Sequence, residues 1–141
     1  MILKRFSVDL AALTQAFDEP RRGPVRTFVD RQSGQVEQVP LDAEVEGVFD
    51  DIFASPDRWV EVQPLAPALR QELRRRFVQQ VDDPQLRLRL GAALGERRPL
   101  QRFASVLRER PPLLDGWLLF RQGELDSLIR AWLAALGIDA I

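Results

Sequence analysis

The sequence lacks cysteine, histidine and tyrosine, and Lys4 is its single lysine. Structural zinc, iron–sulfur clusters, haem and thiol nucleophiles depend on cysteine or histidine side chains, so these chemistries are excluded. A Ser-His-Asp triad is excluded for the same reason, and a serine–lysine pair would have to use Lys4. We therefore expect no cofactor, and the sequence identifies no catalytic residue.

Long apolar runs are also missing. The N-terminal segment MILKRFSVDL has a basic pair but no apolar stretch of the length found in signal peptides. No window approaches the roughly 20 apolar residues that a membrane-spanning helix needs. These features predict a cytoplasmic protein without a membrane partner.

The residues that are present are typical of a folded domain. The chain has 141 residues, of which 45% are hydrophobic and 29% are charged, as in ordinary globular domains. We expect a single domain over residues 1–141, with an α/β-hairpin part at residues 1–65 and a helical part at residues 66–141.

Local patterns predict an α+β fold with an N-terminal helix, a small antiparallel sheet of about three strands and a mostly helical C-terminal half. Ser7 is expected to cap the first helix. The segment VRTFVDRQSGQVEQVP alternates on both sides of Ser33–Gly34, which indicates a β-hairpin, and WVEVQP adds a short strand. Between them, Asp42 is expected to cap a helix with an apolar face formed by Val45, Val48, Phe49, Ile52 and Phe53.

Helix boundaries in the second half are marked by proline, aspartate and glycine. Pro67 and Pro84 suit first helical positions, and Asp83 is placed to cap the second of these helices. Gly95 is placed to end its helix in a left-handed conformation, and Gly137 closes the last helix. A break at Pro111 separates two further helices, the second beginning near Pro112.

The segment PLQRFASVLRERPPLLDGWLLF, residues 99–120, contains three large aromatic residues. Leu100, Phe103, Ala104 and Leu107 have the spacing of one helix face. The last helix continues apolar stripes that include more rings. We predict that four aromatic side chains pack in the core, with a ligand-facing role as the alternative: Phe103, Trp117, Phe120 and Trp132.

Charge is distributed unevenly along the chain. Residues 37–61 have a net charge of −7, and residues 70–110 have a net charge of +6. Glu46, Asp50 and Asp51 are weak candidates for a metal or acid–base site, but their spacing lacks the regular pattern of an EF-hand. A solvated helix face is the simpler interpretation.

Arginine rows form a candidate basic surface. Arg70 and Arg74 share one helix face, and Arg98 and Arg102 share another. If these rows met, they could bind phosphate groups. Pairing with acidic residues of the same chain and contact with a protein partner are the alternatives, because charge runs alone seldom specify a ligand.

The C-terminal half resembles a bacterial family known only as uncharacterised protein family 0158. The matching residues are Phe103, Leu107, Pro111, Trp117, Phe120, Trp132, Leu133, Gly137 and Ile138. The hairpin segment FVDRQSGQV fits more loosely, with Ser33 where the family favours threonine. Leu100 also stands where an aromatic residue is common. The resemblance supports the fold and implies no activity, because the family has no assigned function.

These observations favour a non-enzymatic protein-interaction or regulatory module with an unknown protein partner. An antitoxin-like or immunity-like role is one version, in which an acidic surface masks a basic partner. A nucleic-acid accessory protein that uses the arginine rows is the alternative. A carboxylate-metal enzyme around Glu46, Asp50 and Asp51 is the second alternative.

Overall fold

The structure is a computed structural model of the chain and describes residues 2–18, 25–40 and 49–141. The expected cap Asp42 and the metal candidate Glu46 lie outside these residues. The elements in chain order are β1 (Lys4–Phe6), α1 (Leu10–Asp18), β2 (Val25–Asp30), β3 (Val36–Pro40), α2 (Asp50–Ala54), β4 (Trp59–Glu61), α3 (Pro67–Gln80), α4 (Pro84–Leu94), α5 (Pro99–Arg108), α6 (Pro111–Ala135) and β5 (Ile138–Ala140). The predicted α+β class is confirmed.

Two compact units divide the chain. We call Met1–Leu65 together with Leu125–Ile141 the sheet unit, and Ala66–Glu124 the helical unit. Helix α6 contributes its first part to the helical unit and its last part to the sheet unit. The single domain over residues 1–141 stays a prediction.

The predicted hairpin and third strand form a three-stranded antiparallel sheet of order β3-β2-β4. The turn requires Gly34, which has a φ of 75°. A Cβ added to Gly34 would lie 2.6 Å from Cβ of Phe6, so space also excludes a side chain there. The position therefore favours glycine for two independent reasons.

A second, two-stranded sheet was not predicted. Strand β1 pairs in parallel with β5, so that Lys4 lies opposite Ile138 and Phe6 opposite Ala140. The expected cap of α1 is also wrong. Asp9, rather than Ser7, accepts the backbone N–H of Ala12 at 3.0 Å through Oδ1, because α1 begins at Leu10.

Two apolar clusters fill the sheet unit, one on each side of β2. Val29 belongs to a cluster with Leu13, Phe17, Ile129 and Leu133, all buried. Trp132 packs edge-on against Phe17 in this cluster, with ring centroids 5.5 Å apart. The other cluster joins Phe28, Val39 and Ile52, with Phe49, Phe53 and Trp59 packed against it.

The helical unit contains α3, α4, α5 and the first part of α6. Helices α3, α4 and α5 each begin with proline, a residue suited to this position because the first N–H groups of a helix lack intrahelical acceptors. Asp83 caps α4 as predicted, accepting the N–H groups of Gln85 at 2.9 Å and Leu86 at 3.3 Å.

Two expectations for this half are wrong in detail. Gly95 has φ −91° and ψ −1° rather than a left-handed conformation, because the helix ends in a tight turn in which Gly95 N donates to the carbonyl of Ala92 at 3.1 Å. Leu100 is 56% exposed, while Val106 is buried with Phe103 and Leu107. Gly137 does end its helix with a left-handed φ of 86°.

Candidate interaction groove

An open groove lies within the helical unit where the ends of its helices meet. It is bounded by the end of α3, the linker to α4, the start of α4, the end of α5 and the start of α6. Its volume is about 640 Å³, within the roughly 300–1,000 Å³ typical of binding sites. Pro111 and Pro112 form part of its edge.

The floor of the groove is apolar because it continues the core of the helical unit. Its apolar lining residues are Phe77, Val81, Leu86, Leu113 and Phe120. The first three are buried and belong to the core cluster, against which the other two pack while remaining partly exposed. The rings of Phe77 and Phe120 have centroids 5.6 Å apart. A bound apolar side chain would therefore extend an existing hydrophobic cluster.

Gly116 leaves room on the wall formed by α6. A Cβ at this position would lie 3.9 Å from the ring of Phe77, which is an ordinary contact distance. Glycine costs a helix interior about 0.5–1 kcal/mol relative to alanine. Because Gly116 has no side chain, part of the groove wall formed by α6 is unfilled.

Carboxylates predominate at the rim. Asp82, Asp83 and Glu109 line the groove with Arg110 as the cationic residue beside them. Arg110 Nη1 lies 3.7 Å from Asp83 Oδ2, with both side chains well exposed. Within the described chain, no hydrogen bond or ion pair is recorded for the exposed carboxylate of Asp82. The rim therefore has a net negative charge and an acidic group open to solvent.

Glu109 is already engaged by a neighbouring helix. Arg89 donates to both carboxylate oxygens, at 2.6 Å and 2.7 Å. The hydrogen bonds from Arg89 lower the pKa of Glu109 below its ordinary value. This fork-shaped pair is exposed, and it fixes the carboxylate at the end of α5 in its charged form.

The predicted core aromatics occupy different environments. Phe103 is 3% exposed, and its ring lies edge-on to Trp117 with centroids 5.3 Å apart. Trp117 also contacts the ring of Phe77 at 5.3 Å. Of the predicted aromatics in this unit, Phe120 is the one that lines the groove, while Trp132 belongs to the sheet unit.

The arginine rows have partners of their own. Arg70 and Arg74 are close enough that Arg70 contributes to a lowered pKa of Arg74, after the larger effect of burial. Arg74 donates to Gln71 at 3.3 Å, whereas Arg102 pairs with Glu96 at 3.0 Å. Arg98 is exposed and precedes α5. Arg74 and Arg102 therefore contact different residues of the helical unit.

The acidic candidates do not form a metal cluster in the described residues. Asp50 and Asp51 lie exposed in the first turn of α2. Across residues 2–18, 25–40 and 49–141, no group of three carboxylates is arranged to hold a metal ion. Glu46 lies outside these ranges.

Charges inside the sheet unit serve its folding. Asp30 is 1% exposed and accepts hydrogen bonds from Gln32 N, Ser33 Oγ and two nitrogens of Arg58, at 2.7–3.0 Å. The bonds from Arg58 are the main cause that lowers the pKa of Asp30 from 3.8 to about 2. This carboxylate holds the hairpin turn to the segment before β4 and has no oxygen left for a ligand.

A partly buried ion pair supports the same sheet. Arg26 Nε donates to Glu61 Oε2 at 2.6 Å across β2 and β4. The guanidinium also lies 5.1 Å from the ring centroid of Phe28 and 5.3 Å from that of Phe53. Such cation–π contacts are favourable when the cation is partly desolvated, so this arginine stabilises the fold.

Sequence reasoning missed the groove because its residues come from helix ends that are distant along the chain. The break at Pro111–Pro112 and the neighbouring pair Asp82–Asp83 were its available signals. Locally, Pro111–Pro112 indicates a helix boundary and Asp83 a helix cap, which Asp83 indeed is. Nothing in the linear sequence states that these two boundaries meet.

The fold and groove define a small α+β protein with an acidic-rimmed apolar groove on its helical unit. The family model described as uncharacterised protein family UPF0158 matches residues 1–141, and the chain belongs to this family. It is 25% identical over 134 residues to UPF0158 protein PA5073 of Pseudomonas aeruginosa, with 93% of this chain and 84% of that protein covered. No solved structure matches the chain. Among the described helices, none has the length and apolar character required to cross a membrane.

Proposed function

We propose that this protein is a non-enzymatic protein-interaction module that docks a segment of a partner protein in the groove. The observation that carries the proposal is the juxtaposition of a partly exposed apolar floor with a carboxylate rim. Covering an apolar floor with a partner removes apolar surface from water and so stabilises the complex. Charges around the edge select the partner and its orientation. We expect this docking to occur in the cytoplasm.

The alternatives have less support from the contacts. A nucleic-acid surface would need converging cations, yet Arg102 is paired with Glu96 and Arg74 is half-buried. A carboxylate-metal site would need a third ligand near Asp50 and Asp51, and Glu46 lies outside the described residues. An antitoxin-like or immunity-like role remains one form of the interaction proposal, because the rim is acidic.

The test compares two glycine-to-leucine variants in helices. Gly116→Leu places a side chain in the groove, whereas Gly91→Leu adds the same side chain to α4 where a Cβ would have nothing within 4 Å. Gly91 does not line the groove and instead borders a smaller cavity of about 380 Å³ between α3 and α4. The two variants therefore differ in the site that they fill.

Immobilised protein is incubated with a lysate of the organism that encodes it, and retained proteins are quantified. We expect a stoichiometric partner on the unaltered protein and on Gly91→Leu, with a loss of about tenfold or more on Gly116→Leu, because a filled pocket excludes an anchoring side chain. Retention of the same partner by Gly116→Leu, or no partner on the unaltered protein, would contradict the proposal.

A further inference from the structure

Resting on the proposed function, we infer that the segment docked in the groove is an amphipathic α-helix with an apolar face and a lysine or arginine at the edge of that face. Three observations of the helical unit lead to this assignment: the apolar floor, the acidic rim with the exposed carboxylate of Asp82, and the two glycines of α6, Gly116 and Gly123.

The apolar floor selects the face of the partner. Phe77 and Phe120 present aromatic rings, and Leu113 borders them on α6. Large apolar side chains spaced three and four residues apart on a helix form a ridge that can fill such a groove. The partner is therefore expected to carry leucine, methionine or phenylalanine on this face.

The acidic rim determines the charge that the docked segment is expected to carry. Within the described residues, the carboxylate of Asp82 makes no hydrogen bond or ion pair. The 3.7 Å between Arg110 Nη1 and Asp83 Oδ2 exceeds the length of a hydrogen bond. The carboxylate of Asp82 and the Oδ2 atom of Asp83 can thus accept hydrogen bonds from an incoming ammonium or guanidinium group, while Oδ1 of Asp83 caps α4. An acidic partner would instead meet the carboxylates of Asp82 and Asp83 with Arg110 beside them, because Glu109 is already paired with Arg89. Charge complementarity therefore favours a cation on the docked segment.

The surface of α6 favours a helix over an extended strand. Gly116 and Gly123 are seven residues apart and so lie on nearly the same side of α6. A Cβ at Gly123 would have nothing within 4 Å, so a second helix could approach α6 closely at both positions. A helix also satisfies its own backbone N–H and C=O groups, whereas a strand would bring unpaired groups against the apolar floor.

The experiment titrates three synthetic peptides into the full-length, isotope-labelled protein and follows its backbone amide signals. The first peptide is an amphipathic helix with leucine at helical spacing and flanking lysines. The second replaces every lysine with glutamate, and the third is the lysine peptide with a central proline that breaks the helix. All three keep the same leucines.

We expect the lysine peptide to shift the amide signals of Asp82, Gly116 and Phe120. The glutamate and proline peptides are expected to bind about tenfold more weakly, the first through charge repulsion and the second through loss of helix. Equal affinity for the lysine and glutamate peptides would overturn the inferred charge. Equal affinity for the lysine and proline peptides would overturn the inferred helix.

Variants of the protein separate the groove from nonspecific binding. Gly116→Leu should reduce affinity for the lysine peptide by about tenfold, since the groove is filled, while Gly91→Leu should leave it unchanged. Asp82→Lys, a substitution at an exposed position, changes the charge of the rim by two units and should abolish the preference for the lysine peptide. An unchanged preference in Asp82→Lys would contradict the inference even if Gly116→Leu failed to fold.

The docking of a partner and the helical form of its segment can be contradicted separately. If the lysate partner depends on Gly116 but the lysine peptide does not bind, the interaction proposal stands and the inferred helix is wrong. If the partner is retained by Gly116→Leu and the peptide also fails to bind, both are wrong.

Discussion

The sheet unit and the helical unit differ in how deeply their most closely paired carboxylates are buried. In the sheet unit, Asp30 and the Arg26–Glu61 pair are buried or nearly so and fully hydrogen-bonded. In the helical unit, the ion pairs Arg89–Glu109 and Arg102–Glu96 lie at the surface. Buried charges are retained when they are paired, and they then fix one arrangement of the backbone around them.

Under the proposed function, this difference explains why the docking site is placed on the helical unit. Asp30 and the Arg26–Glu61 pair hold the hairpin and β4 together, so altering them should damage the fold. The helical unit leaves a carboxylate unpaired and a groove unfilled, so altering them should change binding more than stability. The predictions below test this division, beginning with the largest expected effect.

Deleting an equal volume from each core is the strongest test. Leu133 in the sheet unit and Leu90 in the helical unit are both 0% exposed. We expect Leu133→Ala to lower the free energy of unfolding by about 3–4 kcal/mol, and Leu90→Ala by about 2–3 kcal/mol, because the cost depends on how far neighbours can collapse. Urea denaturation of both variants measures the difference. A larger loss of stability in Leu90→Ala than in Leu133→Ala would indicate that the core of the helical unit does not collapse around the cavity, despite the open groove beside it.

Removing the buried carboxylate should affect stability in a pH-dependent way. Asp30→Asn loses charge-assisted hydrogen bonds to Arg58, and we expect a cost of about 2 kcal/mol near neutral pH. The folded pKa of Asp30 is lowered from 3.8 to about 2, so its contribution is present above pH 3.8 and is lost as the pH falls toward 2.

Denaturation curves of the unaltered protein and Asp30→Asn should therefore converge over that acidic range. Ser33→Ala is a milder control that removes one donor to the same carboxylate. A constant difference between unaltered protein and Asp30→Asn down to pH 2 would show that charge pairing is not what Asp30 contributes.

The same glycine-to-alanine change should have opposite effects in the two units. Gly34→Ala forces a positive φ on a residue with a side chain and brings Cβ to 2.6 Å from Phe6, so it should cost more than about 1 kcal/mol. Gly123→Ala has open space around its Cβ and should raise the free energy of unfolding by about 0.5–1 kcal/mol.

Thermal melts of these two variants show directly whether each substitution raises or lowers the stability. Gly91→Ala, also in open space within a helix, serves as the matched control for the stabilising effect. A neutral Gly34→Ala would mean that the hairpin turn can adopt another conformation.

Surface ion pairs of the helical unit should contribute least. Arg89→Ala removes the fork-shaped pair with Glu109, yet both side chains are about half exposed. Solvent and salt screen such pairs, so we expect no measurable change in melting temperature and little sensitivity to added salt. A clear loss of stability would place this pair with the structural charges of the sheet unit and weaken the comparison.

Local chemistry made part of the fold predictable. Asp83 and Pro84 specify the start of α4 because capping and proline geometry act within a few residues. The Ser33–Gly34 turn was predictable for a similar reason, since a positive φ at Gly34 needs no information from distant residues. These predictions rest on interactions that span four residues or fewer.

Features that depend on distant residues were missed. Strands β1 and β5 have three residues each and too little alternation to be recognised, and they exist because they pair with each other. The groove could not be located either, because Phe77, Leu86 and Leu113 come together only through packing of separate helices. The two acidic residues before α4 could be seen in the sequence, but the arginine that faces Asp83 could not.

The pairing of β1 with β5 has a consequence for synthesis on the ribosome. The helical unit occupies one continuous stretch, Ala66–Glu124, and needs mainly contacts between neighbouring helices. In the sheet unit, β1 can pair with β5 only after residues 138–140 have been synthesised. This pairing closes a loop of more than a hundred residues. Because contacts between residues distant in sequence form slowly, we expect the helices of the helical unit to fold on the nascent chain before β1 pairs with β5.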